Sequence, residues 1–165
     1  MNLNEKIELL GKETKIKDSG ERRKFETGAV RDMAEGKGRF DLMPVDVLYM
    51  IFSNNVLKCV DLYQKENDVS HLLQILSCNL ASSKFELTEK IAKHFENGAK
   101  KYEENNWKKG IPCKCFVDSA LRHFFKFIAN HKDEDHESAF YWNIMCCIWT
   151  HENIPGMQSY KKEVD

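Results

Sequence analysis

Three stretches of this 165-residue sequence gather side chains able to do chemistry. The richest lies between Phe116 and Asn143, where Asp118, Arg122, His123 and Lys126 are followed by Asp133, Asp135, His136 and Asn143. Steps of four residues set Asp118, Arg122 and Lys126 on one side of a helix, with His123 next to that strip. Asn143 follows His136 two turns further along one face. Two antiparallel helices with a short connection bring His123 within reach of Asp135, His136 or Asn143. Carboxylates and imidazoles on facing helices are how bundles build metal sites, and an imidazole near neutrality also moves protons. The competing reading is an acidic first turn favoured by the helix dipole, with histidines on the surface.

A second stretch holds His94, Glu96, Lys100, Lys101, Tyr102 and Trp107. Glu96 could add a carboxylate to the same core and the lysines could meet phosphate; the alternative is a solvated charged face ending in aromatic packing. The third is Gly28-Ala29-Val30-Arg31-Asp32 followed by Gly36-Lys37-Gly38-Arg39. Glycines let backbone N–H groups approach an anion, and Lys37 and Arg39 neutralise its charge. The spacing is not that of a Walker A loop. With Arg22, Arg23 and Arg31 nearby, it makes a local basic patch.

The elements that must position these groups are helical. Residues 1–44 form an arm with a possible short helix at Leu3–Leu10. Val47, Leu48, Ile51, Val56, Leu57 and Val60 recur at helical intervals after Pro44, predicting a helix over 45–64. Val69–Leu80 is a second helix, and Ser82-Ser83 is a candidate cap for the third. Leu87, Ile91, Phe95, Ala99 and Tyr102 form an i, i+4 stripe over 85–102. Asn105–Pro112 ends it; a helix over 116–130 and a last one opened by Asp133-Glu134-Asp135 follow. No segment alternates with period 2, so the expected fold class is all-α: a bundle of four to five helices over 45–152, with a Gly/Arg-rich arm before it and a tail at 153–165.

Composition sets the limits. The length fits one domain, and 42% hydrophobic residues with 3 Pro allow a real core. With 25 Lys and Arg against 26 Asp and Glu, the net charge of −1 gives no reason to bind duplex nucleic acid or an anionic membrane. Apolar runs are short and the N-terminus is polar, so the expectation is a cytoplasmic protein without signal peptide or membrane span. The 6 Cys lack zinc-knuckle spacing and are expected to pack as reduced thiols.

Several blocks occur together in order: Ser19-Gly20-Glu21-Arg22-Arg23, Thr27-Gly28-Ala29-x-Arg31-Asp32, Gly36-Lys37-Gly38-Arg39-x-Asp41-Leu42-x-Pro44, Glu96-x-Gly98-Ala99-x-Lys101-Tyr102, Asn106-Trp107-x-x-Gly110, Arg122-His123, Asp133-x-Asp135-His136 and Trp142-Asn143. In this the chain resembles the phage-associated family named for the N-terminal domain of dATP/dGTP diphosphohydrolase. Residues 62–90 look like an insertion relative to that pattern. The resemblance implies a helical relative of the MazG-like pyrophosphohydrolases, which cleave a (deoxy)nucleoside triphosphate to monophosphate and pyrophosphate with Mg²⁺ or Mn²⁺. It implies metal ligands at Glu96 and Asp135, catalytic groups at His123, His136 and Asn143, and substrate contacts from Lys37, Arg39, Lys101, Tyr102, Trp107 and Arg122. The arrangement of MazG proper, Glu-x-x-Glu followed by Glu-x-x-Asp, cannot be written here, because no Glu-x-x-Asp occurs. The alternative is therefore a binder that sequesters a nucleotide or cyclic nucleotide-like signal without turnover. In either case the expected partner is a small nucleotide. A Gly-rich arm beside a small bundle also suggests a homo-oligomer.

Overall fold

A computed structural model of the chain describes residues 20–80 and 84–160. The proposed helix at 3–10, the Ser82-Ser83 cap and the end of the tail lie outside the described residues. Six helices are present among them: α1 (Val45–Phe52), α2 (Asn55–Glu66), α3 (Ser70–Leu80), α4 (Lys84–Tyr102), α5 (Cys113–Ile128) and α6 (His136–Asn153). The bundle is all-α apart from one small hairpin, β1 (Arg22–Lys24) and β2 (Val30–Asp32), paired antiparallel with Arg22 opposite Asp32 and Lys24 opposite Val30.

Two boundaries differ from the sequence pattern. The helix expected over 45–64 is divided, because Ser53 takes a left-handed conformation (φ 48°) and donates its N–H to Tyr49 O at 2.7 Å. Asn54 then turns extended and its side chain caps α2 by accepting from Val56 N at 2.8 Å. The apolar spacing runs through this break and hides it. The last helix starts at His136, with Asp133 and Glu134 left in the preceding loop. Its N-cap is Asp135, which accepts from Ser138 N at 3.0 Å.

The hairpin is the other departure. Its strands have three residues each, too short for alternation to show. Gly28 makes the turn at φ 82°, donating its N–H to Phe25 O at 2.9 Å. The hairpin is docked on the bundle by Asn106, whose side-chain Oδ1 accepts from Val30 N at 2.8 Å while Nδ2 donates to Val30 O at 2.7 Å. Thr27 donates its hydroxyl to Gly110 O at 2.6 Å. At Gly110, φ is 106° and a Cβ would sit 3.1 Å from Thr27 Cγ2, so two separate constraints demand glycine there.

Buried residues occur on every side of α6, including Phe140, Tyr141, Ile144, Cys146 and Cys147, which makes it the central helix. Around it pack Phe116, Val117 and Leu121 of α5, Leu87 and Ile91 of α4, Leu72 and Ile75 of α3, and Leu57, Val60 and Tyr63 of α2. All six cysteines are free thiols, five of them buried. Burial pushes the Cys146 and Cys147 thiols well up, as befits packing groups. Residues at the start of the expected tail lie back on the bundle: Tyr160 packs edge-on to Tyr63, and Ser159 Oγ accepts from Lys114 N at 3.0 Å. Met50, Ile51 and Phe52 of α1 remain exposed. No helix among the described residues is long and apolar enough to cross a membrane.

Candidate functional site

A cleft of about 460 Å³ opens between the hairpin, the end of α4, the 106–107 turn, α5 and α6. One wall is aromatic. Phe95 lies between Trp107 and Trp142, with ring centroids 5.5 and 5.8 Å away. The lining is also cationic: Arg23, Arg31, Lys37, Arg122 and Lys126 all contribute to it.

Arg31 is the deepest of these cations. Its NH2 donates to Asn143 Oδ1 at 2.5 Å, its guanidinium lies 4.9 Å over the Phe116 ring, and its NH1 is buried without a hydrogen-bond partner. Burial pulls Arg31 below its ordinary pKa, yet a guanidinium stays charged at neutral pH. Arg23 Nε and Trp142 Nε1 are also buried without a partner, and both residues line the same cleft. A buried donor without an acceptor costs roughly 1–3 kcal/mol. Three around one cleft suit an acceptor-rich ligand.

Asp32 organises the hairpin side. It accepts from Lys101 Nζ at 2.8 Å and from the Tyr102 hydroxyl at 2.8 Å, with Arg22 NH1 at 3.3 Å and Lys37 Nζ at 3.9 Å. Tyr102 lines the cleft, and burial followed by the Asp32 bond pushes its phenol up. Burial pulls the Lys37 ammonium down, with Asp32 acting against it.

At the other end, His123 Nδ1 meets His136 Nδ1 at 3.0 Å. His136 Nε2 is 2.7 Å from Asp133 Oδ1, and Lys126 Nζ donates to Asp133 Oδ2 at 3.1 Å. These bonds hold the Asp133 carboxyl well below its usual range. Glu134 Oε1 stands 3.5 Å from both Nδ1 atoms. Burial, reinforced by Arg122, holds the His123 imidazole far below its ordinary pKa, so it is neutral at neutral pH.

Not every expected site residue faces this cleft. Lys37, Tyr102, Trp107, Arg122, His123 and Asn143 line it; His136 stands behind His123 and Lys101 behind Asp32. Arg39 is half-exposed and closed on Asp41, its Nε and NH2 each 2.6 Å from a carboxylate oxygen, so it does not join the wall. Glu96 is on the solvent side of α4, tied to Lys100. Asp135 is used as a helix cap. Among the described residues, the triplets of possible metal ligands lying within 4.8 Å of one another are His123–Glu134–His136 and Glu66–Asp68–His71, and neither holds Glu96 or Asp135. The pair implied for Mg²⁺ therefore does not converge, and the convergent set is rich in nitrogen where Mg²⁺ demands oxygen. Asp118, the sole acid of α5, accepts from Phe40 N at 2.7 Å and from Arg122 at 3.3 Å, anchoring the turn at Phe40–Leu42.

Sequence reasoning left Arg23, Arg31, Asp32, Glu134 and Trp142 out of the site. Arg31 and Asp32 stood inside a quoted motif and Glu134 beside Asp135. Only the hairpin register and the helix start decide which of these neighbours faces inward.

The fold and cleft define an all-α protein with a cleft lined by cations and aromatic rings. The family model described as dATP/dGTP diphosphohydrolase, N-terminal, matches residues 76–160, and the chain belongs to that family. The matched range begins within 62–90 and includes α4, α5 and α6, while the Gly/Arg hairpin precedes it. No curated protein and no solved structure matches the chain.

Proposed function

We propose that the cleft binds a purine deoxynucleoside triphosphate and that the chain hydrolyses it to monophosphate and pyrophosphate. The observation that carries this is the set of buried donors without partners, Arg23 Nε, Arg31 NH1 and Trp142 Nε1, gathered with Lys37 around one aromatic cleft. Arginine forks match phosphate oxygens in shape and charge. Phe95, Trp107 and Trp142 offer the apolar wall a base requires. Asn143 orients Arg31 by accepting from it, and Asp32 plays the same part for Lys101 and Tyr102. The His123–His136 pair, fixed through Asp133, is the polar group at the end of the cleft that acts on the bound triphosphate. The family's description supports the choice of purine deoxynucleotides.

The second reading is sequestration without turnover, which is favoured by the separation of Glu96 from Asp135. Incubating the chain with each dNTP and Mg²⁺, Mn²⁺ or Zn²⁺, and resolving the products, separates the two. Monophosphate and pyrophosphate from dATP or dGTP are expected; intact nucleotide retained one per site would leave sequestration, and no retention would overturn both. Arg31→Met should lower nucleotide affinity at least tenfold, measured by calorimetry, while ΔG of unfolding changes by less than about 1.5 kcal/mol. In that variant, relief of a buried charge offsets the acceptor left open on Asn143.

A further inference from the structure

Where the C-terminal half of α5 faces the start of α6, three ligating atoms form a small triangle. Its edges are 3.0 Å between the Nδ1 atoms of His123 and His136, and 3.5 Å from each of these to Glu134 Oε1. Bonds of about 2.0–2.1 Å to one ion place neighbouring ligands roughly 3.0 Å apart at octahedral angles and roughly 3.3 Å apart at tetrahedral ones. We propose that His123, Glu134 and His136 bind one divalent transition-metal ion of the Zn²⁺ class, with its open coordination side toward the cleft.

Three observations support the assignment. The donor set is two imidazole nitrogens and one carboxylate oxygen, which suits Zn²⁺, Co²⁺ or Mn²⁺ and is poorly suited to Mg²⁺. Behind it, His136 Nε2 donates to Asp133 at 2.7 Å, leaving the Nδ1 lone pair turned toward His123 and Glu134. A carboxylate behind a ligating histidine is the usual means of fixing its tautomer and raising its basicity. Finally, His123 and Glu134 line the cleft while His136 is 2% exposed, so ligands close the inner side and leave the cleft side open. With the ion bound, both Nδ1 lone pairs are engaged, and the histidine pair serves to hold the ion rather than to take a proton.

The other ligand triplet, Glu66–Asp68–His71, makes a useful contrast. Asp68 there is used in accepting from Ser70 N at 2.8 Å, and His71 pairs with Glu66 at the surface.

The proposal deepens the hydrolase reading, where the ion would act as Lewis acid beside the phosphates, yet its test is independent of turnover. The full chain is stripped with chelator and titrated with Co²⁺, following the visible d–d absorption, and then displaced by Zn²⁺. One Co²⁺ per chain is expected, with Mg²⁺ unable to compete at a hundredfold excess. Glu134→Gln and His136→Gln should each weaken binding by at least a hundredfold, and Asp133→Asn by roughly 10–100-fold. Circular dichroism confirms that each variant is folded, and Glu134→Gln, a near-isosteric change in a loop, serves if His136→Gln is not. Binding unchanged in Glu134→Gln, or lost in His71→Gln instead, overturns the proposal. Ion binding without cleavage of any nucleotide supports the site and sinks the hydrolase reading; cleavage by a chain that binds no Co²⁺ overturns the site and keeps that reading.

Discussion

His94 shows how one side chain can carry pH dependence for the whole molecule. It sits against Trp142 at 5.4 Å in the cleft wall and is 9% exposed. Burial pulls its pKa to about 4, only partly offset by Asp135. The folded-state value lies below the ordinary 6.5, so the unfolded chain binds the extra proton first. Its contribution is fully present above about 6.5 and is lost as pH falls toward 4. The shift corresponds to about 3 kcal/mol. Urea unfolding between pH 7 and 4 should therefore show falling stability, with a shallower slope in His94→Gln; an unchanged slope would clear His94 of that role. His123, also held neutral by burial, acts in the same direction.

Asp135 belongs to the scale of elements. Its carboxylate holds the first turn of α6 through Ser138 N. Asp135→Ala should cost about 1 kcal/mol in denaturant unfolding, and Asp135→Asn, which also caps, almost nothing. Had Asp135 been a metal ligand, the Asn variant would lose the ion; retention of Co²⁺ in it is expected. What could be read in advance follows the same logic. The i, i+4 stripe of α4 and the clustered phenylalanines of α5 announce long helices, because burial on one face leaves a period in the residues themselves. The proximity of His123 and His136 also follows from a short connection between two helices. A break such as Ser53–Asn54 leaves no mark on that period, since a left-handed residue and a cap change direction without changing polarity. Nor can spacing choose among Asp133, Glu134 and Asp135. One becomes the partner of His136, one faces both imidazoles and one caps, and the choice is made by where the helix starts.

At the scale of the molecule, the cleft depends on a hairpin with little apolar surface of its own. A two-stranded hairpin alone is marginal in water, so docking must hold it. Asn106, 5% exposed, supplies much of that by answering both backbone groups of Val30. Asn106→Leu should lower stability by about 2–4 kcal/mol in urea, as two backbone groups lose their partners. In hydrogen exchange the Val30 amide should open faster than the core of α6, and equal protection would refute the clamp. The same arrangement bears on synthesis. Arg31 finds its acceptor Asn143 at a separation of 112 residues. At about 5–20 residues per second, the hairpin emerges roughly 5–20 s before α6 exists to receive it. A ribosome stalled before α6 would thus display the cations of the cleft without the cleft, so the nascent chain acquires its charge long before it acquires the walls that enclose it.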